Sequence, residues 1–295
     1  MAPCDGREIG LRLGWIHVRV RLVKRAWVIL LVGCAASFCA QAQVQVVVEL
    51  EQDQVLPGES LWVAARVINY SGQTLSLGQG NDWLQFMIER PDGIPVSCRG
   101  TAPVEESFEL PSSKMATKRL DLTPYYDFEE PKRYLVTATV RIVAWGQEVR
   151  SKPVAFSVVR GSTLWQQEVG VPVAGGDVRA PEVRRFILQQ ALHIKKMKLY
   201  ARVTDASGIR IYGTLPLGPI MSISNPEKQI DAQTRLHVLW QTGARDFTYC
   251  VVDSDGNLVR RQTHEFTDSR PVLRRDKEGR LLVVGGTRRP AADDI

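Results

Sequence analysis

Residues 134–144 read Tyr-Leu-Val-Thr-Ala-Thr-Val-Arg-Ile-Val-Ala. The run is dense in β-branched and aromatic residues and holds neither Gly nor Pro, the composition of a strand. The same signature recurs on both sides. Upstream, Val44, Val46, Val48 and Leu50 fall at every second position, as do Leu61, Val63, Ala65 and Val67. Leu84, Phe86 and Ile88 alternate again, and Leu120 with Leu122 marks a further strand. Downstream, Val154 to Val159 is the last of the series. Pro57-Gly58-Glu59, Asn69-Tyr70-Ser71-Gly72 and Pro91-Asp92-Gly93 punctuate the strands as turns. Short alternating strands with frequent turns over residues 43–160 predict a two-sheet β sandwich.

The whole chain has 295 residues, of which 44% are hydrophobic and 24% charged, so it is neither disordered nor fibrous. The length suits two domains. Five Cys are too few for a disulfide-built scaffold. The fold class expected is all-β: the sandwich, a linker over 161–181, and a second small β domain over 182–295. The linker reading rests on Val171-Pro172-Val173-Ala174-Gly175-Gly176-Asp177, rich in small and breaker residues. Over 182–197, Val183, Phe186, Ile187, Ala191, Ile194 and Met197 fit helical spacing and predict one short helix. A hairpin from Arg184-Arg185-Phe186-Ile187-Leu188 to Leu199-Tyr200 is the competing reading.

The second domain holds a repeat. Ser224, Pro226, Asp231, Arg235-Leu236 and Val238 recur as Ser269, Pro271, Asp276, Arg280-Leu281 and Val283, at a constant offset of 45 residues. Between the copies, Asp253-Ser254-Asp255-Gly256-Asn257 joins two strand runs as a hairpin. A period near 45 is the length of a propeller blade, but residues 161–295 supply too little chain for the roughly four blades that close a propeller. A compact β domain with propeller-like hairpins is expected, as an open stack of sheets, a second sandwich or a partial propeller.

Residues 1–42 predict a signal peptide. Arg7, Arg12, Arg19, Arg21, Lys24 and Arg25 outweigh Asp5 and Glu8, an uncharged run follows from Ala26, and Ala40-Gln41-Ala42 supplies small residues at −3 and −1. The apolar stretch falls short of the roughly 20 residues that cross a bilayer, so no transmembrane segment is expected in the mature chain. The charged region is long for such a segment, and a start nearer Val18 or Val23 would give the usual length. Leu31-Val32-Gly33-Cys34 resembles the lipobox of bacterial lipoproteins, which would make Cys34 a lipidated first residue. From Gln43 on, 32 basic and 30 acidic residues remain, so the net charge falls from +6 to +2 and no nucleic-acid partner is expected. Cys98 and Cys250 also remain. The compartment would permit a disulfide stapling the two domains; two separate buried thiols are the other reading.

Leu56-Pro57-Gly58-Glu59, Val67-Ile68-Asn69-Tyr70-Ser71-Gly72 and Tyr126-Asp127-Phe128-Glu129-Glu130-Pro131-Lys132-Arg133-Tyr134 resemble secreted bacterial immunoglobulin-like domains of macroglobulin-like and proteinase-inhibitor-like modules. Such domains often have Pro-Gly before the strand-opening Tyr, where Lys132 stands here. The resemblance covers about two fifths of the chain and implies a fold and no activity.

The chemistry-bearing residues are sparse. Asp253, Asp255 and Asn257 alternate as in calcium loops, but Gly256 comes two positions early and His264 stands where a bidentate Glu is needed. The mature chain has His193, His237 and His264 in no metal-ligand spacing. No Gly-x-Ser-x-Gly elbow, dinucleotide fingerprint or phosphate loop occurs. Glu105-Glu106 and Glu129-Glu130 read as solvated. The basic doublets 184–185, 195–196, 260–261, 274–275 and 288–289 read as strand and turn surface, or as a strip for an acidic polysaccharide. Trp83, Trp145, Trp165 and Trp240 read as packing residues, with sugar stacking the alternative. No catalytic, cofactor-binding or metal residue is assigned. The function expected is an exported bacterial binding or structural module without enzymatic activity, with a protein or polysaccharide partner and self-association through the C-terminal hairpins. A carbohydrate-active or other hydrolase with carboxylates placed by the fold, or a proteinase inhibitor, is the alternative.

Overall fold

A computed structural model describes residues 43–295 apart from 81, 105–106, 129 and 173–180. The expected signal segment with Cys34, and Glu105, Glu106 and Glu129, lie outside the described residues. Among the described residues no helix is long and apolar enough to cross a membrane. The chain is all-β, as the alternation demands.

The first domain comprises β1 (Val44–Leu50), β2 (Gln54–Val55), β3 (Trp62–Asn69), β4 (Leu75–Leu77), β5 (Leu84–Glu89), β6 (Phe108–Leu110), β7 (Met115–Asp121), β8 (Arg133–Ile142), β9 (Gln147–Arg150) and β10 (Val154–Val158). One sheet runs β1-β3-β7; the other runs β2-β10-β8-β5, with β9 also on β8. β4 and β6 form a separate pair. Among the described residues only the β2–β10 pairing is parallel. The even residues of β1 and β8 and the odd residues of β3 point inward, so Val46, Val48, Val63, Val67, Val136 and Val140 share one core. Each fully buried aliphatic side chain there contributes on the order of 1.5–3 kcal/mol. Asn69 is buried too, and its amide is fully used: it donates to Gln73 O and Leu110 O and accepts from Ser71 N–H and Oγ–H.

The second domain comprises β11 (Ser162–Val171), β12 (Glu182–His193), β13 (Lys196–Asp205), β14 (Ile211–Pro219), β15 (Glu227–Ile230), β16 (Leu236–Gln241), β17 (Asp246–Val252), β18 (Leu258–Glu265), β19 (Val272–Arg275), β20 (Leu281–Val284) and β21 (Thr287–Arg289). Strands β11 to β14 form an antiparallel meander, β15 to β18 a second one that β21 extends, and β19–β20 a hairpin. Phe186, Leu188, Leu199 and Val203 of the first meander pack on Leu236, Val238, Trp240 and Val252 of the second. The other face of the second meander, through Leu239, Tyr249 and Val251, packs on Leu273 and Leu281 of the β19–β20 hairpin. The architecture is an open stack of three layers. The middle layer is covered on both faces, so every residue of β16 except Gln241 is buried.

Two expectations fail locally. The helix over 182–197 is the β12–β13 hairpin, paired from Arg184↔Asp205 to His193↔Lys196. Both faces of β12 carry buried residues, Phe186 and Leu188 toward the stack and Ala191 toward the first domain. Burial on two faces scatters apolar residues in a way that imitates helical spacing. The linker expected over 161–181 is not seen where the chain is described, because Ser162–Val171 is a ten-residue strand paired with β12. It lies on an edge, so its mostly exposed side chains carry no clean alternation.

The domains meet at the Leu56–Glu59 turn. Leu56 packs against Ala191 and Tyr200 of the first meander, and Thr214 Oγ1 donates to Pro57 O at 2.8 Å. Gly58 has φ +77° and lies flat on Ile211, where any Cβ would come within 2.7 Å of Cγ2. Glu59 is buried beneath the turn and accepts from Leu56 N–H and Gln52 Nε2. Burial raises its carboxyl pKa against the pull of those hydrogen bonds.

Candidate functional site

The 45-residue repeat is one hairpin, built twice in different layers: β15–β16 around Asp231 and β19–β20 around Asp276. Each aspartate closes its turn in the same way. Asp231 Oδ1 accepts from Gln233 N–H (2.9 Å) and Arg235 N–H (2.8 Å), and Oδ2 from Arg235 Nε (2.8 Å). Asp276 Oδ1 accepts from Glu278 N–H (2.9 Å) and Arg280 N–H (2.8 Å), and Oδ2 from Arg280 Nε (2.8 Å). Asp253 does the same with Asp255 N–H and Asn257 N–H, so the calcium-like segment is a hairpin turn. The fourth residue of each turn takes the left-handed conformation: Gly256 (φ 84°), Gly279 (φ 82°) and, without the usual glycine, Thr234 (φ 58°).

The copies differ at one position that matters. Where the second has Leu282, the first has His237, and the Asp231 carboxylate turns inward to meet it. His237 Nε2 lies 3.0 Å from Asp231 Oδ2, and Nδ1 lies 2.7 Å from Tyr249 Oη on β17. The three side chains are buried. Burial lowers the His237 pKa despite the neighbouring Asp231, so the ring is neutral. The consistent arrangement is Nε2–H donating to the carboxylate and Nδ1 accepting the Tyr249 hydroxyl proton. Burial disfavours the ionised Asp231, yet hydrogen bonds from the Arg235 backbone, His237 and the Arg235 side chain outweigh it and hold its carboxyl below the usual range.

Asp231 and His237 of this array line a cleft of about 360 Å³ together with residues of both repeat turns. Arg235, Arg280 and Glu278 also line it, with Arg235 tied to Asp231 and Arg280 to both Asp276 and Glu278. Val251 and Leu281 contribute the apolar floor, and exposed Val259 and Leu282 the rim. Arg260 of β18 reaches the same cleft and forms no ion pair with a carboxylate among the described residues. The cleft thus offers an uncommitted guanidinium above a neutral, fully hydrogen-bonded base. A second hollow of about 230 Å³ in the first domain is lined by Phe86, Cys98 and Tyr126, but Tyr126 is occupied in donating to Phe86 O.

Cys98 and Cys250 are separate thiols. Cys98 is exposed and donates to Gly100 O at 2.9 Å; Cys250 is in the second-domain core, where burial pushes its thiol up to about 12. Of the two readings, separate thiols rather than an interdomain disulfide are found, with Cys98 exposed and not buried. The basic doublets within strands, 184–185, 260–261, 274–275 and 288–289, are split by the pleat, which sends neighbours to opposite faces, whereas Lys195 lies in the β12–β13 turn. Arg184 lies buried over the Tyr212 ring, 3.7 Å from its centroid, while Arg185 pairs with Glu168. Arg261 pairs with Asp293, while Arg260, on the other face, has no ion pair among the described residues. Trp83 and Trp240 are buried, and Trp145 and Trp165 pack on the two cores. Among the described residues Trp62, not singled out from the sequence, is the exposed tryptophan, with Arg119 over its ring. Among the described residues no three His, Cys, Asp or Glu side chains gather as metal ligands.

No family model matches the chain. A stretch of 119 residues is 33% identical to selenide, water dikinase of Pseudomonas putida, covering 40% of this chain. The chain spans about a third of the length of that relative. Among solved structures, Spo0M, a sporulation control protein of Bacillus subtilis, aligns over 71% of this chain and 79% of its own at 9% identity, with a TM-score of 0.30.

Proposed function

We propose that this chain is an exported bacterial binding module without enzymatic activity, and that the cleft between the Asp231 and Asp276 turns seats an acidic polysaccharide. The carrying observation is Arg260: a guanidinium without a carboxylate partner among the described residues, facing a cleft whose other arginines are already oriented by their turns. A planar fork of this kind takes a carboxylate in bidentate fashion, and the apolar rim of Val259 and Leu282 suits a sugar face. Binding rather than catalysis is supported by His237, whose two ring nitrogens are both committed. The raised carboxyl of Glu59 is at the domain junction, away from the cleft. Export rests on the basic start, the uncharged run and Ala40-Gln41-Ala42. The first domain reads as immunoglobulin-like: β2 joins β10 in parallel, and Tyr134 at the start of β8 donates back to Glu130 O, the tyrosine corner of such sandwiches. The partial likeness to selenide, water dikinase does not bring that protein's activity with it.

Titration calorimetry with a polyuronate oligosaccharide and a neutral one of equal length tests the seat. The uronate is expected to bind, more weakly as salt rises. Arg260→Ala is expected to weaken binding by about tenfold or more, as for a lost charge-assisted pair, with an unchanged unfolding midpoint. Equal binding of the neutral oligosaccharide, or an Arg260→Ala variant that binds as wild type, overturns the assignment.

A further inference from the structure

The two edges of the first meander of the second domain are treated very differently. At β14, Pro216 and Pro219 interrupt the donors, the register slips twice, and the Leu56–Glu59 turn covers the strand. These are the usual devices that keep a sheet edge from pairing with another chain. At β11 they are nearly all missing. The strand runs ten residues without Pro, and among the described residues nothing but β12 pairs with it. One irregularity between Thr163 and Trp165 leaves Trp165–Val171 as a continuous run of seven.

Its charges are also missing. Glu168 is the one ionisable residue of β11, and it is bound by Arg185 of β12 through Nε at 3.0 Å and Nη2 at 2.6 Å. An edge without net charge selects neither a basic nor an acidic peptide. Trp165 and Val169 sit half-buried at the border of the stack core. A strand is complementary to its own two-fold copy: antiparallel pairing brings side chains of the same face together, and closed two-fold dimers are the commonest assembly.

We propose that β11 is a strand-addition edge through which two copies of this chain pair antiparallel, merging two four-stranded meanders into one eight-stranded sheet. Self-association thus runs through the first strand of the second domain and not through its C-terminal hairpins. The proposal is independent of the ligand cleft, which involves none of these strands.

Sedimentation velocity of the chain from Gln43 to Ile295, from micromolar to submillimolar concentration, tests it. The wild type is expected to show a concentration-dependent dimer. Gln166→Lys with Gln167→Lys places like charges on both faces of the joined edge at two exposed positions. That variant is expected to weaken the dimer by about tenfold or more, with circular dichroism and urea midpoint unchanged. A wild type that stays monomeric throughout overturns the proposal, whatever else the edge binds. So does a dimer of undiminished strength in the double-lysine variant, which would place the interface elsewhere.

Discussion

Replacing Asp231 by Ala separates the two jobs this residue does. One is local: closing the turn by accepting Gln233 N–H, Arg235 N–H and Arg235 Nε. Water can replace much of that, because Gln233 is exposed and Arg235 is half-buried. The other job is internal: accepting His237 Nε2–H between two side chains that are only 5% and 6% exposed. Removing the carboxylate leaves that donor buried and unmatched, at a cost of about 1–3 kcal/mol, on top of a charged hydrogen bond of about 1.5–3 kcal/mol. The two overlap, since both describe the same contact, and the turn adds about 1 kcal/mol. The expected loss is about 3–4 kcal/mol. The second copy supplies the control. Asp276→Ala removes the same turn bonds from an aspartate that meets no histidine, and its loss should be clearly smaller. Urea unfolding followed by tryptophan fluorescence reads both, since Trp240 lies on β16 two strand positions beyond Val238. Equal losses for the two variants, or less than about 1 kcal/mol for Asp231→Ala, would refute the buried array as a source of stability.

Two further outcomes follow from the same geometry. Burial lowers the pKa of His193, His237 and His264. The unfolded chain therefore binds protons near pH 6.5 that the folded chain refuses until lower pH, so stability is full above that pH and falls as the pH drops below it; a urea midpoint constant from about pH 8 to about pH 5.5 contradicts this. Ile194 and Lys195 hold φ 42° and 66° in the two-residue turn between β12 and β13, so Ile194→Asn with Lys195→Gly should raise stability by about 1–2 kcal/mol, and a lowered midpoint would show that the turn is not strained.

That turn also shows where reading the sequence stops. Two-residue hairpins usually announce themselves with Asn-Gly or Asp-Gly. His193-Ile194-Lys195-Lys196 has neither, so the strongest local signal for a hairpin is missing, and apolar residues on both faces of β12 complete the disguise. By contrast β1, β3 and β8 each bury one face, and their period of two is plain in the residues. The repeat was legible as spacing, but its meaning was not: Asp231 and Asp276 look alike in one dimension, and only the fold turns one toward a histidine. The signal was the mismatch, His237 against Leu282, at a position where the two copies ought to agree. Arg260 could not be distinguished from Arg261 without knowing which face each takes. Whether Cys98 and Cys250 meet in space depends on how the sheets that carry them dock, which spacing along the chain does not show.

That docking has a historical consequence. Gly58 touches Ile211, Pro57 accepts from Thr214, and Leu56 fills a gap beside Ala191 and Tyr200. One short turn of the first domain is thereby shaped by residues far away in the second. Neither half can drift freely: a larger side chain at 58 needs a smaller one at 211, and a change at 56 needs an answer at 191 or 200. Descendants of this chain should carry these positions as matched sets, inherited together, and a first domain transplanted from a distant cousin should fail to seat until its turn and the recipient's β14 are exchanged as a pair.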